Sequence, residues 1–264
     1  MNHPVNRTIL LFDIERYSVR DDVEQAYLRR MLYDIADRTL AAAGVEETKR
    51  LRADRGDSVM ELIDADTSPI ALLRSLLTEA PAQLRTINRM ASSSAQIRLR
   101  SVLATGFVAI DGQGGWVGSD LNHACRLLDA KLLRAALRER ADDFALCVSE
   151  SIHQGIVRHG HPGIAPEEFH PVTLESKNGP LGAWLHGPLP NTAEDAGAPA
   201  APAPDSAPAP AAGPAPQGPG ATFHFAGGSP SFGGSLVAGD QHGVSGGTVH
   251  GDVHLGGADQ SGTR

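Results

Sequence analysis

LLFDIERYS, residues 10–18, ends an apolar run with a carboxylate. Ile9, Leu10, Leu11 and Phe12 are continuous apolar residues, the pattern of a strand buried in a sheet. Asp13 follows, Ile14 is apolar again, and Glu15 and Arg16 are charged. A lone Asp at such a place is ordinarily a helix cap or a turn residue. Any further role needs partners elsewhere in the chain.

Working outward, the front of the chain alternates strand and helix patterns. RTILLFDI reads as a strand. DDVEQAYLRRMLYDIADRTLAAAG reads as a helix capped at Asp21 or Asp22 and stopped at Gly44. TKRLRADRGDSVMELI reads as two strands around a turn at Arg55-Gly56. SPIALLRSLLTEAPAQLRTINRMA reads as helix, with Pro81 expected to kink or break it. QIRLRSVLATGFVAI alternates as a long strand, and DGQGG turns the chain into WVG. SDLNHACRLLDAKLLRAALRER reads as one helix. DFALCVS reads as a strand, SESIHQGIVRHG as a short helix, and FHPVTLE with GAWLHG as a closing hairpin. The order predicts an α+β domain with a mostly antiparallel sheet and helices on one face, over residues 5–187.

The composition changes near Pro188. Residues 189–220 are an Ala/Pro tract, expected to be an extended, flexible and disordered linker because it has too little apolar surface to offset ordering. Residues 221–264 are a Gly- and His-rich tail with a short repeat, VAGDQH at 237–242 and VHGDVH at 249–254. The repeat reads as two short β-like units or as disorder, with pairing to a partner protein a possible use. A tail metal site is disfavoured, because Gly-rich chain pre-organises its His and Asp residues poorly.

The whole chain has 264 residues and a formal charge of −8. That balance argues against a general nucleic-acid binder, and Arg29, Arg30, Arg98 and Arg100 read as solvated faces. There is no signal-peptide pattern and no long apolar run, so a cytoplasmic protein without membrane contact is expected. The two cysteines, Cys125 and Cys147, read as small core residues in a reducing compartment. Trp116 and Trp184 read as core or interface residues.

Two groups of polar residues carry chemistry. Asp13 ends the first strand and Asp57 follows Gly56 at the tip of a hairpin, so adjacent strands would bring them together. Two carboxylates at one sheet edge repel unless a cation lies between them, and removing either is expected to relieve the metal-free fold. Mg²⁺ or Mn²⁺ suits such oxygen ligands, with substrate phosphate filling the remaining positions. Two such ions can activate one oxygen and stabilise a leaving phosphate oxygen. The second group is Asn122 and Arg126, four apart on a predicted helix and so on one face. An amide and a guanidinium there can hold a sugar oxygen and a phosphate. Taken alone, that pair is equally an ordinary solvated helix face.

LLFDIERYS, RGDSVMEL and WVGSDLNHACRLLDA together resemble the catalytic domain of the class III nucleotidyl cyclases. That family has a metal-binding Asp after its first strand, a Gly-Asp hairpin with a second one, and a later helix with Asn-x-x-x-Arg. The resemblance implies a ferredoxin-like cyclase fold, two Mg²⁺ or Mn²⁺ ions, and a ribonucleoside triphosphate substrate cyclised to a 3′,5′-cyclic mononucleotide. It implies that Asp13, Asp57 and the backbone carbonyl of Ile14 hold the metals, that Asn122 orients the ribose and that Arg126 stabilises charge on the α-phosphate. It also implies a head-to-tail homodimer, with Asp13 and Asp57 of one chain facing Asn122 and Arg126 of the other.

The departures from the family pattern are specific. The two positions that read a purine base fall on Ala53 and Gly115, neither of which carries a base-reading side chain. The small Gly expected in the turn after the first Asp is Arg16, which adds a phosphate contact or blocks one. A triphosphate-binding Lys is expected in the late hairpin, where the register puts Lys177 or Glu175. Cyclases of bacterial anti-phage defence also resemble this domain and use pyrimidine nucleotides. The alternative is a catalytically silent cyclase-homology domain that dimerises, senses nucleotide or recruits a partner.

Overall fold

The computed structural model describes residues 3–174 and 179–191. Lys177, Glu175, most of the linker and the whole tail lie outside the described residues.

The elements are β1 (Val5–Ile14), α1 (Asp22–Ala42), β2 (Arg50–Asp54), β3 (Ser58–Asp64), α2 (Pro69–Met90), β4 (Leu99–Ile110) and β5 (Trp116–Val117), then α3 (Ser119–Asp129), α4 (Lys131–Glu139), β6 (Phe144–Ser149), α5 (Glu150–Gly155), β7 (Phe169–Leu174) and β8 (Leu181–His186). Among the described residues the sheet order is β2-β3-β1-β4-β6-β8-β7, with the short β5 on the far end of β4. Its pairings are antiparallel except that of β4 with β6. The expected α+β domain with a mostly antiparallel sheet is what the chain forms.

Helices on one face were expected, and here the structure differs. Along β1, Leu10, Phe12 and Ile14 join one core cluster with residues of α1, α2 and α5. Ile9 and Leu11 join a second cluster with residues of α3 and α4. The sheet is therefore covered on both sides. The continuous apolar run in β1 has this meaning: a strand with one wet face would alternate, and a strand buried on both faces does not.

Helix ends follow the expected chemistry. The Asp21 side chain accepts from the Glu24 amide at 2.8 Å and the Glu24 side chain returns to the Asp21 amide, a reciprocal cap. Gly44 stands just past the end of α1 with φ +76°, which suits a residue without Cβ. Two helix expectations need correction. α2 runs through Pro81, because Leu73, Leu76, Ala80 and Leu84 on both sides of it are buried in one core. The predicted single helix at 119–140 is two, broken at Ala130 with ψ 138°. The break lets the apolar stripes of α3 and α4 both face the sheet.

The edge strand β2 is tied to α1 by charge. Glu61 is fully buried, and its Oε1 accepts from Arg50 at 2.9 Å and from Arg52 at 2.5 Å. Both arginines also donate to Asp37 of α1, at 2.7 and 2.6 Å. Burial opposes ionisation of Asp37, but the hydrogen bonds from Arg52 and Arg50 outweigh it and hold the carboxyl below its ordinary 3.8. The stability Asp37 contributes is thus complete above that value and lost as pH falls through the lower, folded one. Urea midpoints measured from pH 7 down to pH 2 should show a shallower acid slope in Asp37→Asn than in the parent. Identical slopes would show that the network does not depend on this charge.

Cys147 is buried on β6, and Cys125 is half-buried on α3. Burial pushes the Cys147 thiol up to about 12 and raises that of Cys125 too. Because the thiolate is the reactive form, a disulfide reagent at pH 8 should leave Cys147 untouched until the protein is denatured. Two rapidly titrating thiols in the native protein would contradict this packing. Trp116 and Trp184 each pack at the margin of a core cluster. Among the described residues no helix is long and apolar enough to cross a membrane.

Candidate active site

Asp13 is the penultimate residue of β1, and Asp57 lies in the turn between β2 and β3. Antiparallel pairing of β1 with β3 sets Asp13 opposite Ser58, and the Ile14 amide donates to the Asp57 carbonyl at 3.0 Å. The structure thus brings Asp13, Ile14 and Asp57 together. The turn is built for this. Gly56 has φ +87°, and its amide donates to Asp54 Oδ1 at 2.8 Å, while Arg29 of α1 pairs with the other oxygen of Asp54.

Asp13 faces the α3 and α4 side, by its alternation with Ile9 and Leu11. Burial raises its carboxyl, the Arg100 guanidinium pulls it down, and the Asp57 charge pushes it up again, leaving it at about 6. Arg100, expected above on a solvated face, instead lines this candidate site. It is 8% exposed, lies directly opposite Asp13 on β4, pairs with that carboxylate and donates to the Leu128 carbonyl of α3 at 3.2 Å. Arg98 is not free either: it pairs with Glu15 at 3.0 Å and donates to the carbonyls of Leu137, Arg140 and Asp142.

Arg16 is exposed and has φ +56°, the one non-glycine residue with positive φ among the described residues. A Gly would take this conformation freely, while Arg carries a cost of about 1 kcal/mol. The turn after β1 therefore keeps a glycine-type backbone with a cationic side chain on it.

Asn122 and Arg126 sit one turn apart on α3, Asn122 exposed and Arg126 half-exposed. Among the described residues Arg126 has no ion-pair partner. Two glycines let α3 start hard against β4. A Cβ on Gly118 would come within 2.5 Å of the Phe107 carbonyl, and one on Gly106 within 2.1 Å of the Asp120 side chain. Asp120 then accepts from the Phe107 amide at 2.8 Å.

Ala53 and Gly115 are far apart within one chain. Ala53 pairs with Met60, which pairs with Leu11, so it lies near the Asp13 end. Gly115 precedes Trp116, which pairs with Ile110, whereas Arg100 is level with Asp13. The strand from Arg100 to Ile110 spans roughly 33 Å at ~3.3 Å per residue. Gly115 is held by the Asp111 side chain, which accepts from its amide at 2.7 Å.

The donors at Asp13 suit a hard divalent cation: two carboxylates and a backbone carbonyl. Burial and the neighbouring Asp57 both disfavour charge on Asp13, and a bound cation would favour it. Among the described residues no group of three or more His, Cys, Asp or Glu forms a metal cluster, so water and substrate oxygens would complete the shell.

No protein-family model matches the sequence, and no curated protein matches it. Solved structures do. An adenylate/guanylate cyclase/hydrolase from Silicibacter pomeroyi is 22% identical, with 70% of this chain and 98% of that chain covered and a TM-score of 0.49. The guanylyl cyclase Cya2 is 16% identical, with 72% and 96% covered and a TM-score of 0.49. The guanylate cyclase domain of RhGC from Catenaria anguillulae, solved with GTP, is 15% identical, with 72% and 100% covered and a TM-score of 0.47. Each of these cyclases is covered over nearly its whole length.

Proposed function

We propose that the chain is a class III-type nucleotidyl cyclase, converting a ribonucleoside triphosphate to a 3′,5′-cyclic mononucleotide and pyrophosphate. The observation that supports it best is the pair Asp13 and Asp57, locked at adjacent strand ends by the Ile14–Asp57 hydrogen bond, with the Asp13 carboxyl raised. Asp13, Asp57 and the Ile14 carbonyl would hold Mg²⁺ or Mn²⁺. When bound, two such ions supply Lewis-acid activation of the 3′-hydroxyl and neutralise charge on the triphosphate, so no side-chain base is required.

The chain's own residues do the rest. Asn122 hydrogen-bonds the ribose and holds its 3′-oxygen in line with the α-phosphorus. Arg126 donates to the α-phosphate oxygens as they gain charge, with a guanidinium that does not titrate. Arg16 and Lys177 are phosphate contacts in this reading. Ala53 and Gly115 leave the base unread by side chains at those two positions, so pyrimidine nucleotides stand beside purines as substrates. In this reading, as the family resemblance implies, the substrate lies between two chains of a head-to-tail homodimer, with Asp13 and Asp57 of one chain facing Asn122 and Arg126 of the other. Incubating the purified protein with each of the four ribonucleoside triphosphates and Mn²⁺, then separating the products, tests this.

A second reading has its own observation. Arg100 sits on Asp13 and neither Ala53 nor Gly115 carries a base-reading side chain, as in a domain that dimerises and binds nucleotide without turnover. Saturable nucleotide binding with no cyclic product from any of the four triphosphates would select it.

A further inference from the structure

Asp13, the metal ligand of the proposed cyclase site, is paired with a cation that the protein itself supplies. Arg100 reaches it from β4, is almost wholly buried, and is braced by the Leu128 carbonyl. That pose is not fully satisfied. The Arg100 Nε is buried and has no hydrogen-bond partner among the described residues. A buried donor without an acceptor weakens the pose that leaves it so. Asp57 and Asp129 also lie near enough to Asp13 to bear on its charge.

We propose that Arg100 is the resident counter-ion of the metal site: it holds Asp13 when no metal is bound, and metal entry requires it to release that carboxylate. The inference rests on the cyclase reading of the same site. Its physics is competition. A guanidinium on a carboxylate oxygen blocks an ion from that oxygen and repels its charge. Without any counter-ion, Asp13 would be a buried charge beside a second acid, which is costly. Arg100 thus neutralises Asp13 at the expense of metal affinity. The incomplete hydrogen bonding at Nε keeps the pair exchangeable.

The test is a Mn²⁺ titration without nucleotide, following free Mn²⁺ by electron paramagnetic resonance. Arg100→Gln should bind at least tenfold tighter than the parent, about 1.4 kcal/mol. Arg100→Lys keeps the charge and should stay close to the parent. Adding Asp13→Asn to Arg100→Gln should abolish the gain, which assigns it to this site. Equal or weaker binding by Arg100→Gln, with Mn²⁺ bound by the parent and cyclic product formed, overturns the counter-ion role and leaves the cyclase reading standing. No Mn²⁺ binding by any form and no product overturns both. If Arg100→Gln does not fold, the parent decides: the Arg100 Nε–H resonance, assigned by its loss in Arg100→Lys, should shift with Mg²⁺ at the concentration that half-saturates binding. A resonance that stays in place overturns the proposal.

Discussion

Alanine at Asp57 should abolish cyclisation, with a fall of about 10³-fold or more, while leaving the melting temperature unchanged or slightly raised. A loss of that size corresponds to about 4 kcal/mol of transition-state stabilisation, the scale expected when a metal carboxylate is removed. The stability sign follows from Asp57 raising the Asp13 carboxyl: taking away the neighbouring charge relieves repulsion. Asp13→Ala should abolish activity equally and yet differ in stability. It strands the Arg100 guanidinium, whose side chain is 10% exposed, and should cost about 3 kcal/mol. The sequence alone led to relief from either substitution, and Arg100 splits them. Turnover that survives both substitutions would sink the metal assignment, and a matched rise in melting temperature for both would sink the ion pair.

Mixing Asp57→Ala chains with Arg126→Ala chains should restore activity that neither has alone. In a two-fold dimer with sites shared between chains, a mixed pair has one intact site and one doubly broken site. At equal amounts, half of the dimers are mixed, so about a quarter of the parent's activity should return. Subunit exchange must be shown separately, by mass spectrometry of differently labelled chains. With exchange proven and no recovery, the site would lie within one chain.

Much of this candidate site was legible because it is local. Asp13 stood out as a carboxylate ending an apolar strand, Asp57 as the residue after a turn glycine, and Asn122 with Arg126 by their helical spacing. Arg100 was missed because sequence alternation gives the face of a residue but not its partner across the sheet. Only the register of β1 on β4 sets it against Asp13. A cation inside an otherwise apolar strand, between Leu99 and Val102, was the available signal. The break at Ala130 left no mark either, since alanine is the strongest helix former and no Gly or Pro stands there. Pro81 misled in the other direction, because burial of the residues on both sides overrides the hydrogen bond it removes. The covering of both sheet faces was present in Ile9 to Phe12 as a run without alternation, which a strand with one wet face would not show.

If the proposed site is completed only when Asp13 and Asp57 at the β1–β3 edge of one chain meet Asn122 and Arg126 on α3 of another, copy number becomes a throttle. Output then follows the number of encounters between chains. Below the dissociation constant of the pair, product formation rises as the square of chain concentration. Halving expression then cuts output to about a quarter, with no inhibitor involved. Scaffolding or confinement that gathers chains in one place would act as an activator without touching a single catalytic residue.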